Sequence, residues 1–511
     1  MKFLRIIFAA ALMAVFTCGA QKIDPITQAV LNGYSSLLEK NPKDIETLFE
    51  RASQYQQLGM YRNALEDVKK ALEYTPAKNT DMREREYTLL SGVAASLDDY
   101  ETALDAINHA IELKPGSYIN IYNKGNILLE LNRPEEAYRV FSSMQSLKSR
   151  SQEAYYGMAR ACIRQGNFSE AENLMKEIES ANQTSPLTFC RLGNLFEEMN
   201  QPENAAANYI VAIAMDNRGN SGLKELSDLS SRNYKAAAMA LDYAIEKSTN
   251  KPMMLLLKGR LANQAGAYPD AELSFSRLAN MPEGKTPGVY TALAESRLAL
   301  NQLPDAMEAI NESITLEPSA VNMNVKANIE LAMQNSRGAI ADAMEAIRLN
   351  PNRTESYLTA AQGYIMAGEA DEAIKILNQA IMAEPDNNLA LLMRAYTNQE
   401  LAGNSKAAQA DLNRIILEEA TAFPDITILA VARLKAGKKI DADAGIQTAA
   451  ESLRKPEDLY WQAVYYAQAG DLEKAKTLAD QASFDGFLNK HLLQSSHTPW
   501  LNLSPIAHLI K

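Results

Sequence analysis

Apolar residues along this chain recur three and four positions apart, which is the spacing of one face of an α-helix. Residues 45–78 contain two such stretches, separated by Gly59 and followed by Pro76. Because glycine commonly ends a helix and proline cannot continue one, the segment predicts two helices joined by a short turn. The two predicted faces consist of Leu48, Ala52 and Tyr55, and then of Ala64, Val68 and Ala71.

The same pattern repeats along the chain with a nearly fixed period. Pro42 and Pro76 lie 34 residues apart, as do Pro351 and Pro385, and each follows a helical stretch. We count about 13 such units along the chain. Two helices cannot bury their own apolar face, so the units are expected to be stable only when they stack on one another.

These units resemble the tetratricopeptide repeat family, whose 34-residue unit has small residues at positions 8, 20 and 27, aromatic residues at 11 and 24, and proline at 32. The unit at 354–387 is nearly complete, with Tyr357, Ala361, Tyr364, Ala373, Leu377, Ala380 and Pro385. The resemblance implies an all-α fold, a right-handed α-solenoid (superhelix) of about 13 helix-turn-helix repeats. The chain is identified as an exported bacterial member of this family.

Three stretches depart from the repeat pattern. Residues 218–251 keep only the markers of a second helix, 425–455 keep a helical pair without markers, and the unit after Asp386 fits only with one inserted residue. The predicted organisation is a signal peptide at 1–20, a capping helix at 21–44, repeats at 45–217, a degenerate repeat at 218–251, repeats at 252–424, a degenerate pair at 425–455, a last repeat at 456–483 and a cap at 484–511.

The first 20 residues have the pattern of a secretory signal. Lys2 and Arg5 precede an apolar stretch of 11 residues, too short to span a bilayer, and small residues follow up to Ala20. Cleavage after Ala20 would give a periplasmic or secreted protein. The alternatives are acylation of Cys18, which would give an outer-membrane lipoprotein, and an uncleaved anchor or a cytosolic form. No later stretch reaches membrane-spanning length.

The formal charge of the chain is −12, and removal of the signal would make it −14. This balance lacks the basic footprint of a nucleic-acid-binding protein. The chain has 3 cysteines, which excludes a disulfide framework. We expect Cys162 and Cys190 to be buried as small apolar residues, with a disulfide between them as the alternative.

Catalytic and cofactor patterns fail their spacing tests, so we expect no cofactor, no metal site and no enzymatic activity. Residues 279–286 match a relaxed phosphate-binding loop, but Pro287 and Gly288 follow at once, and we expect a turn between repeats. The four histidines lack the spacing of a metal site. They are His109, His491, His497 and His508.

The expected working surface is the concave groove that first helices line in arrays resembling this one. In that family, positions 2, 5, 9 and 12 of each unit point into the groove. Amide, aromatic and guanidinium side chains there suit an extended peptide. The candidate residues are Tyr122, Asn126, Tyr156, Arg160, Asn194, Arg260, Asn324, Asn328 and Tyr396.

The expected function is that of a non-enzymatic interaction scaffold or assembly factor of the cell envelope, which binds a protein or extended peptide. A holdase-like chaperone for exported proteins and a lipid-anchored tether through Cys18 are the alternatives. The basic clamp of the family's chaperone-tail-binding subset is incomplete here, because no lysine occupies position 5 in the units that contain Asn126, Asn194 and Asn328. The sequence leaves open the partner, its pathway, the binding surface (concave or convex) and the oligomeric state.

Overall fold

The structure is a computed structural model. It describes residues 25–147, 151–180, 185–216, 221–248, 250–417 and 470–484, and the single positions 432, 463 and 466. The chain divides into two compact units, Met1–Gly222 and Leu223–Lys511. The division falls at the end of a polar insert, residues 216–222, between two predicted repeats.

Within the described residues every regular element is helical, and consecutive helices pack as pairs. The prediction of an all-α fold of stacked helix pairs is confirmed. The helices of the first unit are α1 Pro25–Lys40, α2 Ile45–Gln57, α3 Tyr61–Tyr74, α4 Thr80–Ser96, α5 Tyr100–Leu113, α6 Tyr118–Glu130, α7 Pro134–Leu147, α8 Gln152–Arg164, α9 Phe168–Ser180, α10 Pro186–Glu198 and α11 Pro202–Met215.

The second unit continues the same arrangement. Its helices are α12 Leu223–Arg232, α13 Tyr234–Lys247, α14 Lys251–Ala265, α15 Tyr268–Ala279, α16 Pro287–Ala299, α17 Leu303–Leu316, α18 Ala320–Ala332, α19 Ser336–Leu349, α20 Thr354–Ala367, α21 Ala370–Ala383, α22 Asn388–Tyr396, α23 Ser405–Leu417 and α24 Leu472–Phe484.

A left-handed residue recurs at one point of the repeat, between its first and second helix. Gly59 has a φ of 71° there, and Asn132 has a φ of 56° at the equivalent point two repeats later. The next residue donates its N–H back to the last turn of the first helix, as Met60 does to the carbonyl of Tyr55 at 2.8 Å. This is the hydrogen bond of a Schellman ending, so the same local geometry reverses the chain each time.

The size of the residue at position 8 matches that of the residue it faces at position 24 of the same repeat. Gly125 faces the ring of Phe141, Gly193 that of Tyr209, and Gly259 that of Phe275, and a methyl group on any of these glycines would collide with the ring. Where position 8 is alanine, position 24 holds no aromatic residue. These pairs are Ala52 with Val68, Ala159 with Met175, Ala294 with Ile310, Ala327 with Ala343, and Ala361 with Leu377.

The inserted residue predicted after Asp386 is absorbed by a π-helical turn. Residues Thr397–Leu401 continue α22 in the π conformation, which accommodates one extra residue. The left-handed residue then comes one position late, at Gly403. Downstream, the predicted marker Leu412 is buried, so the second helix keeps its register.

The degenerate repeat at 218–251 forms a first helix after all, although α12 has only 10 residues. Asn233 alone separates α12 from α13, and its side chain caps α13 by accepting from the backbone N–H of Ala236 at 3.2 Å. The predicted signal peptide, the pair at 425–455 apart from residue 432, and all but the first residue of the predicted cap at 484–511 lie outside the described residues.

Candidate partner-binding surface

The five candidate residues of the first unit lie on α6, α8 and α10, the first helices of three consecutive repeats. Arg160 on α8 joins the three helices. Its Nη1 donates to Oδ1 of Asn126 on α6 at 3.1 Å, and its Nε donates to Oε1 of Glu198 on α10 at 2.9 Å. A single guanidinium therefore holds three repeats in a fixed arrangement.

Arg160 is almost completely buried, with 2% of its surface exposed. Burial acts to lower the pKa of this guanidinium, but the charge and hydrogen bond of Glu198 outweigh it, so the pKa is raised and Arg160 stays charged. Removal of one partner of such a pair leaves an uncompensated charge in the interior. Arg160 is thus placed to position the surface rather than to touch a partner.

Tyr156 and Asn194 belong to the same polar cluster. The guanidinium carbons of Arg160 and Arg191 each lie 6.0 Å from the centroid of the Tyr156 ring, close to the limit of a cation–π contact. Burial raises the pKa of Tyr156, so its hydroxyl remains protonated and hydrogen-bonded with Asn194. Asn194 also accepts from the hydroxyl of Tyr209 at 2.7 Å.

The cluster ends in polar atoms that no described residue satisfies. Nη2 of Arg164 and Oε2 of Glu198 are buried without a hydrogen-bond partner among the described residues. Nearby, burial raises the pKa of Glu130, against the opposing charges of Arg160 and Arg164. One donor and one acceptor on neighbouring helices therefore remain unsatisfied beneath this surface.

Two exposed apolar side chains border this polar cluster. Ile119 on α6 and Leu187 on α10 are 67% and 56% exposed, each at the second residue of its helix. Between them on α8, Glu153 accepts from Arg191 at 3.1 Å. Sequence reasoning did not select Ile119 and Leu187, although they occupy position 2 of their repeats and the groove numbering points to them. Tyr122 is half-buried and its ring centroid lies 5.8 Å from that of Phe141.

The candidates of the second unit are more scattered. Arg260 on α14 is exposed, Asn324 on α18 is buried, and Tyr396 on α22 is half-buried. Asn328 accepts from the hydroxyl of Thr359 at 3.2 Å, which links α18 to α20. Among the described residues no hydrogen bond joins Arg260, Asn324 and Asn328 to one another, so the network of the first unit has no counterpart made from these three.

The turn predicted at residues 279–286 is confirmed. α15 ends at Ala279, a short 3₁₀ turn follows at Pro282–Gly284, and α16 begins at Pro287. A side chain on Gly284 would collide with the carbonyl of Leu278, so this glycine packs against α15 instead of opening a phosphate cradle. Within the part of the chain that the structure describes, each helix is too short or too polar to cross a bilayer.

The predicted positions of the two cysteines are confirmed, since Cys162 and Cys190 are both buried and not joined in a disulfide. Burial raises the pKa of the Cys162 thiol to about 11. Of the histidines, His109 is described. Its ring stacks on that of Tyr87 with centroids 5.0 Å apart.

Family models for the tetratricopeptide repeat match residues 45–78, 128–187, 226–288 and 459–481. The chain belongs to the tetratricopeptide repeat family. The match at residues 226–288 includes most of the degenerate repeat at 218–251. A model described as ChAPs (Chs5p-Arf1p-binding proteins) matches residues 259–436 of this tetratricopeptide repeat protein.

Curated relatives share low identity with this tetratricopeptide repeat protein. Sperm-associated antigen 1 of Rattus norvegicus is 27% identical over 117 residues, which cover 22% of this chain and 13% of the relative. A TPR repeat-containing protein of Methanocaldococcus jannaschii is 22% identical over 354 residues, which cover 69% of this chain and 58% of the relative. The chain thus matches less than two thirds of the length of either relative.

Solved structures with similar helical arrays include MamA, with a TM-score of 0.28 and 22% identity over 30% of this chain and 85% of that chain. The complex of Naa15/Naa10 bound to HypK-THB aligns with a TM-score of 0.31 and 14% identity over 94% of this chain and 93% of that chain.

Proposed function

We propose that this tetratricopeptide repeat protein is a scaffold or assembly factor of the cell envelope, and that it holds an extended segment of a partner protein on the α6–α8–α10 surface. Scaffolds of this family bind protein partners through their helical arrays, which supports the general class of function. The observation that carries the specific site is the Asn126–Arg160–Glu198 network, which fixes three consecutive first helices before any partner arrives.

A fixed surface lowers the entropy that binding must overcome. The exposed side chains of Ile119 and Leu187 supply apolar contact at its border. Together these features suit an extended chain with apolar side chains.

The test is crosslinking and affinity capture of the full chain from its native cells. We expect the variant carrying Ile119→Glu and Leu187→Glu to lose the partner that the unaltered chain captures. A matched control carries Leu147→Glu and Phe168→Glu, on α7 and α9, where side chains of 46% and 47% exposure leave the proposed surface untouched. Equal recovery of the partner by both variants would refute this site.

The location outside the cytoplasm is part of the proposal, supported by the charged start and the apolar stretch of residues 1–20. Sequencing of the mature N-terminus tests it. A first residue of Gln21 agrees with export and cleavage, an acylated Cys18 agrees with the tether, and a retained Met1 on a cytoplasmic protein contradicts both.

A further inference from the structure

The first helix of the array, α1, presents one apolar face to the protein and another to solvent. Leu31 and Leu38 are buried, and Leu38 packs with Leu48 and Ala71 of the first repeat. About 100° further round the helix, Val30 is 41% exposed and Leu37 is 51% exposed. A helix that only capped the array would keep polar residues on this outer face.

Gly33 lies between Val30 and Leu37 on the exposed face. A side chain built on it would meet no atom within 4 Å. Glycine within a helix costs about 1 kcal/mol relative to alanine, and no contact in the described chain requires it here. A glycine flanked by apolar residues on an exposed helical face allows a second helix to approach closely.

The spacing of this face matches a helix–helix seam. Val30, Gly33 and Leu37 follow one another at intervals of three and four residues, the pattern of the a and d positions in a coiled coil. The stripe is nearly symmetric about Gly33. In an antiparallel pair with the two-fold axis between residues 33 and 34, Val30 of one helix meets Leu37 of the other, which is the self-complementarity that a two-fold interface requires.

Charge favours this face over others for contact between identical chains. The chain carries a formal charge of −12, so most approaches of two copies are repulsive. The charged residues of α1 are Glu39 and Lys40, which are adjacent and opposite in sign. The exposed residues on the solvent side of the stripe are Ala29, Ser36 and Lys40, and an antiparallel pair keeps the two Lys40 side chains at opposite ends.

We propose that the exposed face of α1 is an interface between two copies of this chain, which pair through antiparallel α1 helices crossing at Gly33. A 16-residue helix is about 24 Å long, so a pair of such helices buries an area at the small end of protein interfaces. The dimer is therefore weak, and its population depends on concentration.

The first test is sedimentation equilibrium of the full chain over a range of concentrations. We expect a monomer–dimer equilibrium, and we expect Val30→Asp together with Leu37→Asp to weaken it at least tenfold. Leu147→Asp, a similarly exposed leucine on α7, serves as the control and leaves the equilibrium unchanged. Circular dichroism checks that the variants keep their helix content.

The second test does not depend on the stability of those variants. Gly33→Cys places a thiol beside the proposed axis, and mild oxidation should give a disulfide-linked dimer. Gly116→Cys is the matched control, since this glycine also has no atom within 4 Å of the added carbon. We expect crosslinking of the first variant at concentrations where the second stays monomeric.

Three results would overturn the proposal. One is a monomer at every concentration, with equal crosslinking of the two cysteine variants. Another is a monomer in which the thiol introduced by Gly33→Cys resists maleimide, because a different part of the chain would then cover this face. The third is a monomer that floats with phosphatidylglycerol-containing vesicles and loses that binding with Val30→Asp and Leu37→Asp, because the face would then bind a membrane.

Discussion

Replacing Gly259 with alanine places a methyl group 2.7 Å from two carbons of the Phe275 ring. Carbon atoms prefer a separation of about 3.5 to 4.0 Å, so the ring must move by roughly 1 Å in a site where both residues are fully buried or nearly so. Overpacking of this kind costs about 1 to 3 kcal/mol. Alanine also gains about 1 kcal/mol of helix propensity, so the net loss of stability is about 0 to 2 kcal/mol.

The control is Gly288→Ala in α16, where the added methyl group meets no atom within 4 Å. There only the gain in helix propensity acts, so Gly288→Ala is expected to raise the free energy of unfolding. Urea denaturation followed by far-UV circular dichroism measures both variants in the full chain, and the transition midpoints are compared.

A double-mutant cycle isolates the contact between the two side chains. Phe275→Leu alone leaves a cavity and costs about 1 to 2 kcal/mol. In combination with Gly259→Ala it recreates the alanine–leucine pair that Ala361 and Leu377 already form. We expect the double variant to be more stable than the sum of the single effects by about 1 to 2 kcal/mol. Additive effects, or a stabilised Gly259→Ala variant, would refute the size matching.

Three further predictions concern single residues. Gln334 has a φ of 64°, so Gln334→Gly should raise the urea midpoint, whereas Gly368→Ala, at a φ of 76°, should lower it, each by about 1 kcal/mol or less. Arg160→Met should destabilise the chain by about 3 to 5 kcal/mol, because Glu198 loses its buried partner; a thermal melt matching that of the unaltered chain would contradict this. The raised pKa of Glu130 means that the folded state binds its proton more tightly, so this group lowers stability as pH rises from the usual glutamate range through its folded pKa. Glu130→Gln should therefore be stabilising at neutral pH but not at pH 4, as measured by melts at both values.

Repeat spacing predicted the helix pairs because it depends on local periodicity. The small residues at Ala52, Gly125 and Gly259 were sufficient to locate the crossing of each pair, since helix contact depends on volume there. Burial of the candidate site was not predictable in the same way. Arg160 carries a charge at a position expected to face a groove, and it is buried only because Asn126 and Glu198, 34 and 38 residues away, supply both of its partners.

The second helix of the degenerate repeat was predicted, but its first helix was not. α12 lacks the small residue at position 8 that marks other first helices, and Glu225 stands there instead. Its buried face is formed by Leu226, Leu229 and Ser230, one step out of the usual register. A periodicity search anchored on small residues therefore passes over a helix that packs through larger ones.

The π-helical turn at Thr397–Leu401 shows how a first helix of this array can accept an inserted residue. Inserting one amino acid into an ordinary α-helix rotates every later side chain by about 100°, which would turn buried faces outward along the remainder of the helix. Here the added residue is confined to a single π-helical turn, and the residues that follow keep their buried and exposed faces. Insertions of one residue near the ends of first helices are therefore expected to leave this protein folded. The same insertions at mid-helix should prevent folding.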